Sequence, residues 1–128
     1  MARILVIDDD VLVLDMLYES LTREGYDVLR ASNGEQGLKL YREDPVDLII
    51  TDLIMPEKEG IETIIELRQD FPDVKIIAIS GGGRIGTNNY LHLAKIFGVQ
   101  RTFTKPVARE QLLDAIKELI KEGSSPEL

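Results

Sequence analysis

Residues 3–10 read Arg-Ile-Leu-Val-Ile-Asp-Asp-Asp, an apolar run from Ile4 to Ile7 that breaks abruptly into three carboxylates, Asp8, Asp9 and Asp10. So short and β-branched a run predicts a strand, Arg3 to Ile7. Its lack of polar alternation predicts one covered on both faces, as in a parallel sheet. Two later runs repeat the pattern, LIIT from Leu48 to Thr51, followed by Asp52, and KIIAIS from Lys75 to Ser80. Less apolar runs, Asp27 to Ala31 and Arg101 to Thr104, complete five expected strands. Between the runs the period becomes helical. Leu14, Leu17, Tyr18 and Leu21 fall at i, i+3, i+4 and i+7, which predicts a helix from Val11 to Glu24 stopped by Gly25. Asn33 is placed to cap a second helix that ends before Pro45, and Ile61 to Arg68 form a third that ends before Pro72. Tyr90, Leu93, Ala94 and Phe97 give a fourth stripe closed by Gly98, and Ala108 to Lys121 carry Leu112, Leu113, Ile116, Leu119 and Ile120 on one face of a fifth. Five βα units in succession predict an α/β fold, a single doubly wound (βα)5 domain on a parallel five-stranded sheet.

A chain of 128 residues suits one core, and 44% hydrophobic with 30% charged residues is the ordinary globular range. The domain is expected over residues 1–121, with 122–128 as a frayed polar tail and no linker to a further domain. Cysteine is absent from the sequence, which excludes a disulfide framework and thiolate metal sites. With no signal peptide and no apolar stretch of transmembrane length, a cytoplasmic location without membrane contact is expected. The net charge of −8 argues against a nucleic-acid surface, because phosphate binding needs clustered Lys and Arg. Residues 1–64 carry 6 Lys and Arg against 15 Asp and Glu, whereas residues 65–128 carry 9 against 8. The acidic chemistry therefore belongs to the first half, and the mixed second half suits a protein partner.

Ligands of open parallel sheets bind beyond the carboxyl ends of the strands, where strand order reverses. Each informative polar residue follows or ends a strand: Asp8, Asp9 and Asp10 the first, Asp52 the third, Ser80 the fourth, Lys105 the fifth. Carboxylates meeting at such a rim repel by roughly 4 kcal/mol per pair at about 4 Å with an effective dielectric near 20, and so invite a cation. An all-oxygen donor set selects a hard ion, Mg²⁺ foremost. One carboxylate could then attack phosphorus in line while the metal and a lysine neutralise the equatorial oxygens. Simpler roles compete. An aspartate can merely cap the first helix, and Asp10 is the member assigned to that task. Asp52 could be a turn carboxylate, Lys105 a solvated lysine, and serine is common at strand ends. The run GGGRIG lacks the G-K-[ST] ending of a P-loop and reads as a mobile loop. His92, the lone histidine, is expected in solvent with no ligand role.

ILVIDDD, DLIITDLIMPEKEG, IIAIS and TFTKPV, in this order, resemble the response regulator receiver family of two-component signalling over Met1 to about Lys121. The acidic pair, a D-x-x-M-P with glycine four residues past the proline, a strand-ending serine and a K-P are weak singly and specific together. The resemblance implies the flavodoxin-like strand order 2-1-3-4-5 and Asp52 as phosphoacceptor. It implies Asp8 and Asp9 as the acidic pair, Asp9 touching Mg²⁺ directly, with the Ile54 carbonyl completing the metal's protein ligands. Ser80 would bond one phosphoryl oxygen and Lys105 another. Pro106 would follow a cis peptide, and Gly81 would leave the phosphoryl an open approach. The implied donor is a sensor histidine kinase or histidine phosphotransfer protein, and the implied output an unidentified downstream protein. Such a domain assists its own phosphorylation and dephosphorylation and is not a turnover enzyme.

One position departs from the family pattern. Thr102 stands where an aromatic switch residue is usual, and Phe103 should face the core while Thr102 faces out. The loop from Gly81 to Gly86 and the start of the fourth helix are therefore expected to carry the change, presenting a face of fourth helix, fifth strand and fifth helix. Three rivals remain. An aspartyl-nucleophile phosphatase or phosphotransferase of the haloacid dehalogenase type wants D-x-D-x-T after the first strand, where this chain has DDDVLV. A flavodoxin would cradle phosphate in a Ser/Thr-rich loop where three aspartates stand. The third is a degenerate receiver serving only as an interaction surface.

Overall fold

The structure is a computed structural model that describes residues 2–53, 60–80 and 95–123. Its elements run β1 (Arg3–Ile7), α1 (Val11–Arg23), β2 (Asp27–Ala31), α2 (Gly34–Glu43), β3 (Leu48–Asp52), α3 (Gly60–Asp70), β4 (Ile76–Ser80), β5 (Arg101–Thr104) and α4 (Arg109–Gly123). All neighbouring strands are parallel, in the order β2-β1-β3-β4-β5. The chain steps outward from β1 to β2, then crosses back to β3 and continues to β4 and β5. The reversal lies between β1 and β3, which puts a crevice at their carboxyl ends.

The apolar runs behave as their lack of alternation requires. Every residue of β3 and β4 is buried, and in β1 all but Arg3. Ile4, Val6, Ile50 and Ile77 pack toward Leu17 and Leu21 of α1 and Ile116 of α4, while Leu5, Ile7, Ile49 and Ile76 pack toward Leu38 and Tyr41 of α2 and Leu67 of α3. Two cores thus share one sheet. Asp10 caps α1 by accepting the Leu12 N–H, and Asn33 caps α2 by accepting the Gln36 N–H, as expected of these side chains. Gly25 takes the left-handed conformation, φ +97°, just past the end of α1.

Element ends differ from expectation by one or two residues. β3 extends to Asp52, β4 begins at Ile76 rather than Lys75, α1 stops at Arg23, α3 runs from Gly60 to Asp70, and α4 runs from Arg109 through Gly123. The helix expected through Tyr90, His92, Leu93 and Ala94 lies outside the described residues except for a helical turn at residues 95–96, closed by Gly98 with φ +81°. The loop from Gly81 to Gly86 lies outside them as well. Among the described residues Tyr18 is the one misplaced core residue. It is 37% exposed, with its ring 4.5 Å beneath the Arg30 guanidinium. β2 is an edge strand, so α1 overhangs its open side there, and the tyrosine lies on a cation instead of entering the core.

Candidate functional site

β1 passes its pairing one residue beyond its own end, with the Asp8 N–H donating to the Ala31 carbonyl at 3.1 Å, and this fixes Asp8 at the rim. β3 ends on Asp52. Its neighbour Leu53 donates to the Ile79 carbonyl at 2.9 Å, and the Thr51 hydroxyl donates to the Asp52 carbonyl at 3.0 Å. The Gly60 N–H then returns to the Leu53 carbonyl at 2.9 Å, so α3 starts directly against the Asp52 backbone. A Cβ at position 60 would press into the Asp52 carbonyl oxygen and sit 2.5 Å from Leu53 Cα, so only glycine fits. From β5, the Lys105 N–H donates to the Ser80 carbonyl at 2.7 Å, and the peptide to Pro106 is cis, as expected.

These backbones bring the side chains together. Asp8 and Asp52 are 2% and 6% exposed and Ser80 is fully buried, whereas Asp9 faces solvent. One carboxylate oxygen each from Asp8, Asp9 and Asp52 lies within 4.8 Å of the others. Asp8 Oδ1 accepts the Asp10 N–H at 2.9 Å, and Asp8 Oδ2 accepts Lys105 Nζ at 2.9 Å. The same ammonium is 3.7 Å from Asp52 Oδ2. Within the described structure Asp52 Oδ1 and Ser80 Oγ are buried with no hydrogen-bond partner. Leaving such atoms unpaired costs about 1–3 kcal/mol each, which marks the spot as shaped for something other than protein.

Burial pushes the Asp52 carboxyl up to about 6, Asp8 adds to the rise, and the Lys105 ammonium opposes it. For Lys105 burial alone would lower the pKa, but the hydrogen bond to Asp8 and the charge of Asp52 hold it above its ordinary value. All-oxygen donors on three carboxylates, two of them buried, with no nitrogen or sulfur among them, fit a hard divalent cation.

Asp8, Asp9, Asp52 and Lys105 are therefore brought together, and Ser80 ends the strand beside β3. Ile54, expected to offer a carbonyl, and Gly81 lie outside the described residues. Phe103 packs on the core shared by α1 and α4, as expected. Thr102, expected to face out, is half-buried, paired in register with Ala78 on the opposite face of the sheet. Two features escaped the sequence reading. Lys105 is hydrogen-bonded to Asp8, not to Asp52, a meeting of residues 97 apart that no local pattern announces. Arg68 ties two chain returns, donating to the carbonyls of Phe97 at 2.9 Å, Gly98 at 2.6 Å and Pro72 at 3.0 Å. Its position near the end of α3 was the only sequence signal.

A 2-1-3-4-5 parallel sheet with an acidic, lysine-bearing rim at its switch point defines a flavodoxin-like α/β domain of the kind that response regulators use to receive a signal. The chain belongs to the response regulator receiver domain family, which matches residues 4–117. Among solved structures it is similar to a response regulator receiver domain protein of Clostridium thermocellum, with TM-score 0.88, 32% identity and coverage of 96% of this chain and 97% of that one. It is equally close to a CheY-like receiver protein of Methanospirillum hungatei, with TM-score 0.88, 30% identity and 95% of each chain covered. Among curated relatives, the Klebsiella pneumoniae transcriptional regulatory protein CpxR is 36% identical over 94% of this chain and 50% of its own length. The Escherichia coli transcriptional regulatory protein GlrR is 33% identical over 96% of this chain and 27% of its own length. The chain thus spans between about a quarter and a half of the length of these curated relatives. It is a receiver domain of two-component response regulators, a family that is in general not one of turnover enzymes, that interacts with histidine kinases or phosphotransfer proteins, and that binds Mg²⁺ at an acidic cluster. Among the described residues no helix is long and apolar enough to cross a membrane.

Proposed function

We propose that Asp52 is the phosphoacceptor of this chain and that Asp8, Asp9, Asp52 and the Ile54 carbonyl hold Mg²⁺ beside it. The carrying observation is the state of Asp52: buried at a strand end, one oxygen without a partner, the other 3.7 Å from the Lys105 ammonium. An Asp52 oxygen attacks the phosphorus of a phosphohistidine on a sensor histidine kinase or histidine phosphotransfer protein. The new O–P bond forms as the P–N bond breaks, and the imidazole leaves with the electron pair. The metal, when bound, neutralises charge on the transferring phosphoryl oxygens. Lys105 pairs with one phosphoryl oxygen, and the Ser80 hydroxyl, buried and otherwise unpartnered, donates to another. Asp8, which a haloacid-dehalogenase-type enzyme would use as nucleophile, has both oxygens engaged by Asp10 and Lys105, which favours Asp52.

The receiver occupies residues 1–121, with 122–128 as a polar tail of which residues 122 and 123 continue the last helix, and it works in the cytoplasm through protein contacts, to an unidentified downstream protein, without touching nucleic acid or membrane. Its assistance is limited to its own phosphorylation and dephosphorylation. Incubation with acetyl phosphate and Mg²⁺ should add one phosphoryl group per chain by intact mass, and Asp52→Asn should abolish the adduct. Undiminished labelling of that variant, or steady turnover of p-nitrophenyl phosphate, would move the chemistry elsewhere.

A further inference from the structure

The edge strand β5 has little packing to hold it in place. It is four residues long, pairs only with β4, and none of its residues is fully buried. Register is strongly specified where a strand face is buried and weakly where it is not, and a slip of one residue turns every side chain to the other face. Yet β5 delivers Lys105: Ser80 stands opposite Thr104, and the Lys105 N–H donates to the Ser80 carbonyl at 2.7 Å. At the opposite end of the same strands, Gln100 grips Ile76, the first residue of β4, twice. Its N–H donates to the Ile76 carbonyl at 3.1 Å, and its side-chain oxygen accepts the Ile76 N–H at 2.9 Å. Arg68 holds the chain on either side of this contact. Its Nε donates to the Phe97 carbonyl at 2.9 Å, Nη1 to those of Pro72 and Val74 at 3.0 and 2.5 Å, and Nη2 to the Gly98 carbonyl at 2.6 Å and, at 3.4 Å, to Gln100 Oε1. A guanidinium has five N–H donors, so each is used. Every one of these acceptors is a neutral oxygen, and the half-buried cation works here as a fastener between two chain returns. Gly98, at φ +81°, gives it room, since a Cβ there would lie 3.3 Å from Arg68 Nε.

We propose that Arg68 and Gln100 are positioning residues of the phosphoacceptor site: by clamping the amino ends of β4 and β5 they lock the register of the edge strand, and so set Lys105 against Ser80 and Asp52 at the carboxyl ends. The inference rests on the phosphoacceptor reading above. It divides the site into two halves. Asp8, Asp9 and Asp52 end or follow β1 and β3 and do not depend on the clamp, whereas Ser80 and Lys105 end or follow the two strands that it joins. Loosening the clamp therefore impairs phosphoryl capture without weakening metal binding.

The test is the initial rate of labelling by acetyl phosphate at saturating Mg²⁺, read by intact mass on the full chain. Arg68→Met should label about tenfold more slowly, and Gln100→Ala several-fold, since small displacements at a reacting centre cost rate steeply. Arg68→Lys should recover little, because an ammonium offers its donors from a single point and cannot span both chain returns. Val28→Ala, on the opposite edge strand, loosens the fold without touching the clamp and should stay within about twofold of wild type. Calorimetric Mg²⁺ titrations should show no weaker binding in any of these variants. Exchange of the Lys105 amide, which reports its bond to Ser80, should quicken in Arg68→Met and Gln100→Ala. A wild-type rate in either of these two overturns the proposal, as does full recovery in Arg68→Lys, equal slowing in Val28→Ala, Mg²⁺ binding that weakens in step, or slower labelling with Lys105 exchange unchanged. If Arg68→Met fails to fold, Gln100→Ala decides, because Gln100 is exposed and its replacement leaves the cores intact. Absence of labelling in the wild type would instead overturn the phosphoacceptor reading itself.

Discussion

As the proposed nucleophile, Asp52 meets two requirements that pull apart, since a nucleophile must be ionised while burial and the neighbouring Asp8 raise its carboxyl to about 6, well above the ordinary carboxylate range. A folded-state value above the unfolded one means that the native chain binds this proton more tightly. Its contribution to stability is therefore present in full below about pH 4 and is lost as pH rises through about 6, on the order of 3 kcal/mol at most. The sign is opposite to that of a salt-bridged carboxylate. Asp52→Asn should accordingly be more stable than wild type at pH 7 without metal, and the difference should shrink between pH 6 and 4. Urea midpoints at several pH values measure it, and because other carboxylates titrate in both proteins, the wild-type-to-variant difference is the quantity to follow. A constant difference across that range would locate the strain away from Asp52. The partnerless oxygens of Asp52 and Ser80 make the same point in packing: this rim is held in an arrangement that suits a ligand better than it suits the apo fold.

The elements supply that holding. α3 begins so close to the end of β3 that a methyl group at position 60 would collide with the Asp52 carbonyl and Leu53. Gly60→Ala should therefore shift the proposed phosphoacceptor as well as loosen the fold, with a loss of about 1–3 kcal/mol by chemical denaturation and slower labelling by acetyl phosphate. Full labelling rate in a destabilised variant would separate the helix contact from the placement of Asp52. The sequence announced a glycine at this point of the motif but not what its missing Cβ would strike, because that contact forms only when α3 folds back. Strands β1, β3 and β4 were legible for a different reason: burial on both faces leaves an unbroken apolar run, and the polar residue that ends it marks the rim. The caps Asp10 and Asn33 were legible because side-chain capping is local. Tyr18 was misplaced because helical period locates a face and not its width, and whether the flank of α1 is covered depends on β2 being an edge strand. The pairing of Lys105 with Asp8 had no local trace at all.

Across the whole molecule, the site joins both halves of the chain, with three carboxylates from the strongly acidic first half and the balancing Lys105 from the second. Those residues end or follow β1, β3 and β5, strands embedded in two cores that share one sheet, so an ion bound at the rim would stabilise the entire domain and not one loop. Binding to the native state alone raises stability by RT ln(1 + [L]/Kd), about 2.7 kcal/mol when the ion is present at 100 times its dissociation constant. Mg²⁺ should therefore raise the midpoint of a single cooperative thermal transition, followed equally well by helix signal and by tyrosine fluorescence. Asp9→Asn isolates the metal's part in this. Asp9 is exposed and is the member of the trio with no part in the Lys105 contacts, so its replacement leaves both cores and the Asp8 ion pair intact. The metal-free midpoint of this variant should stay level or rise slightly as one carboxylate leaves the cluster, while the Mg²⁺-dependent rise should largely vanish. A variant that keeps the full Mg²⁺ shift would remove Asp9 from the metal's ligands, and one that melts markedly lower without metal would show that the three carboxylates do not strain one another.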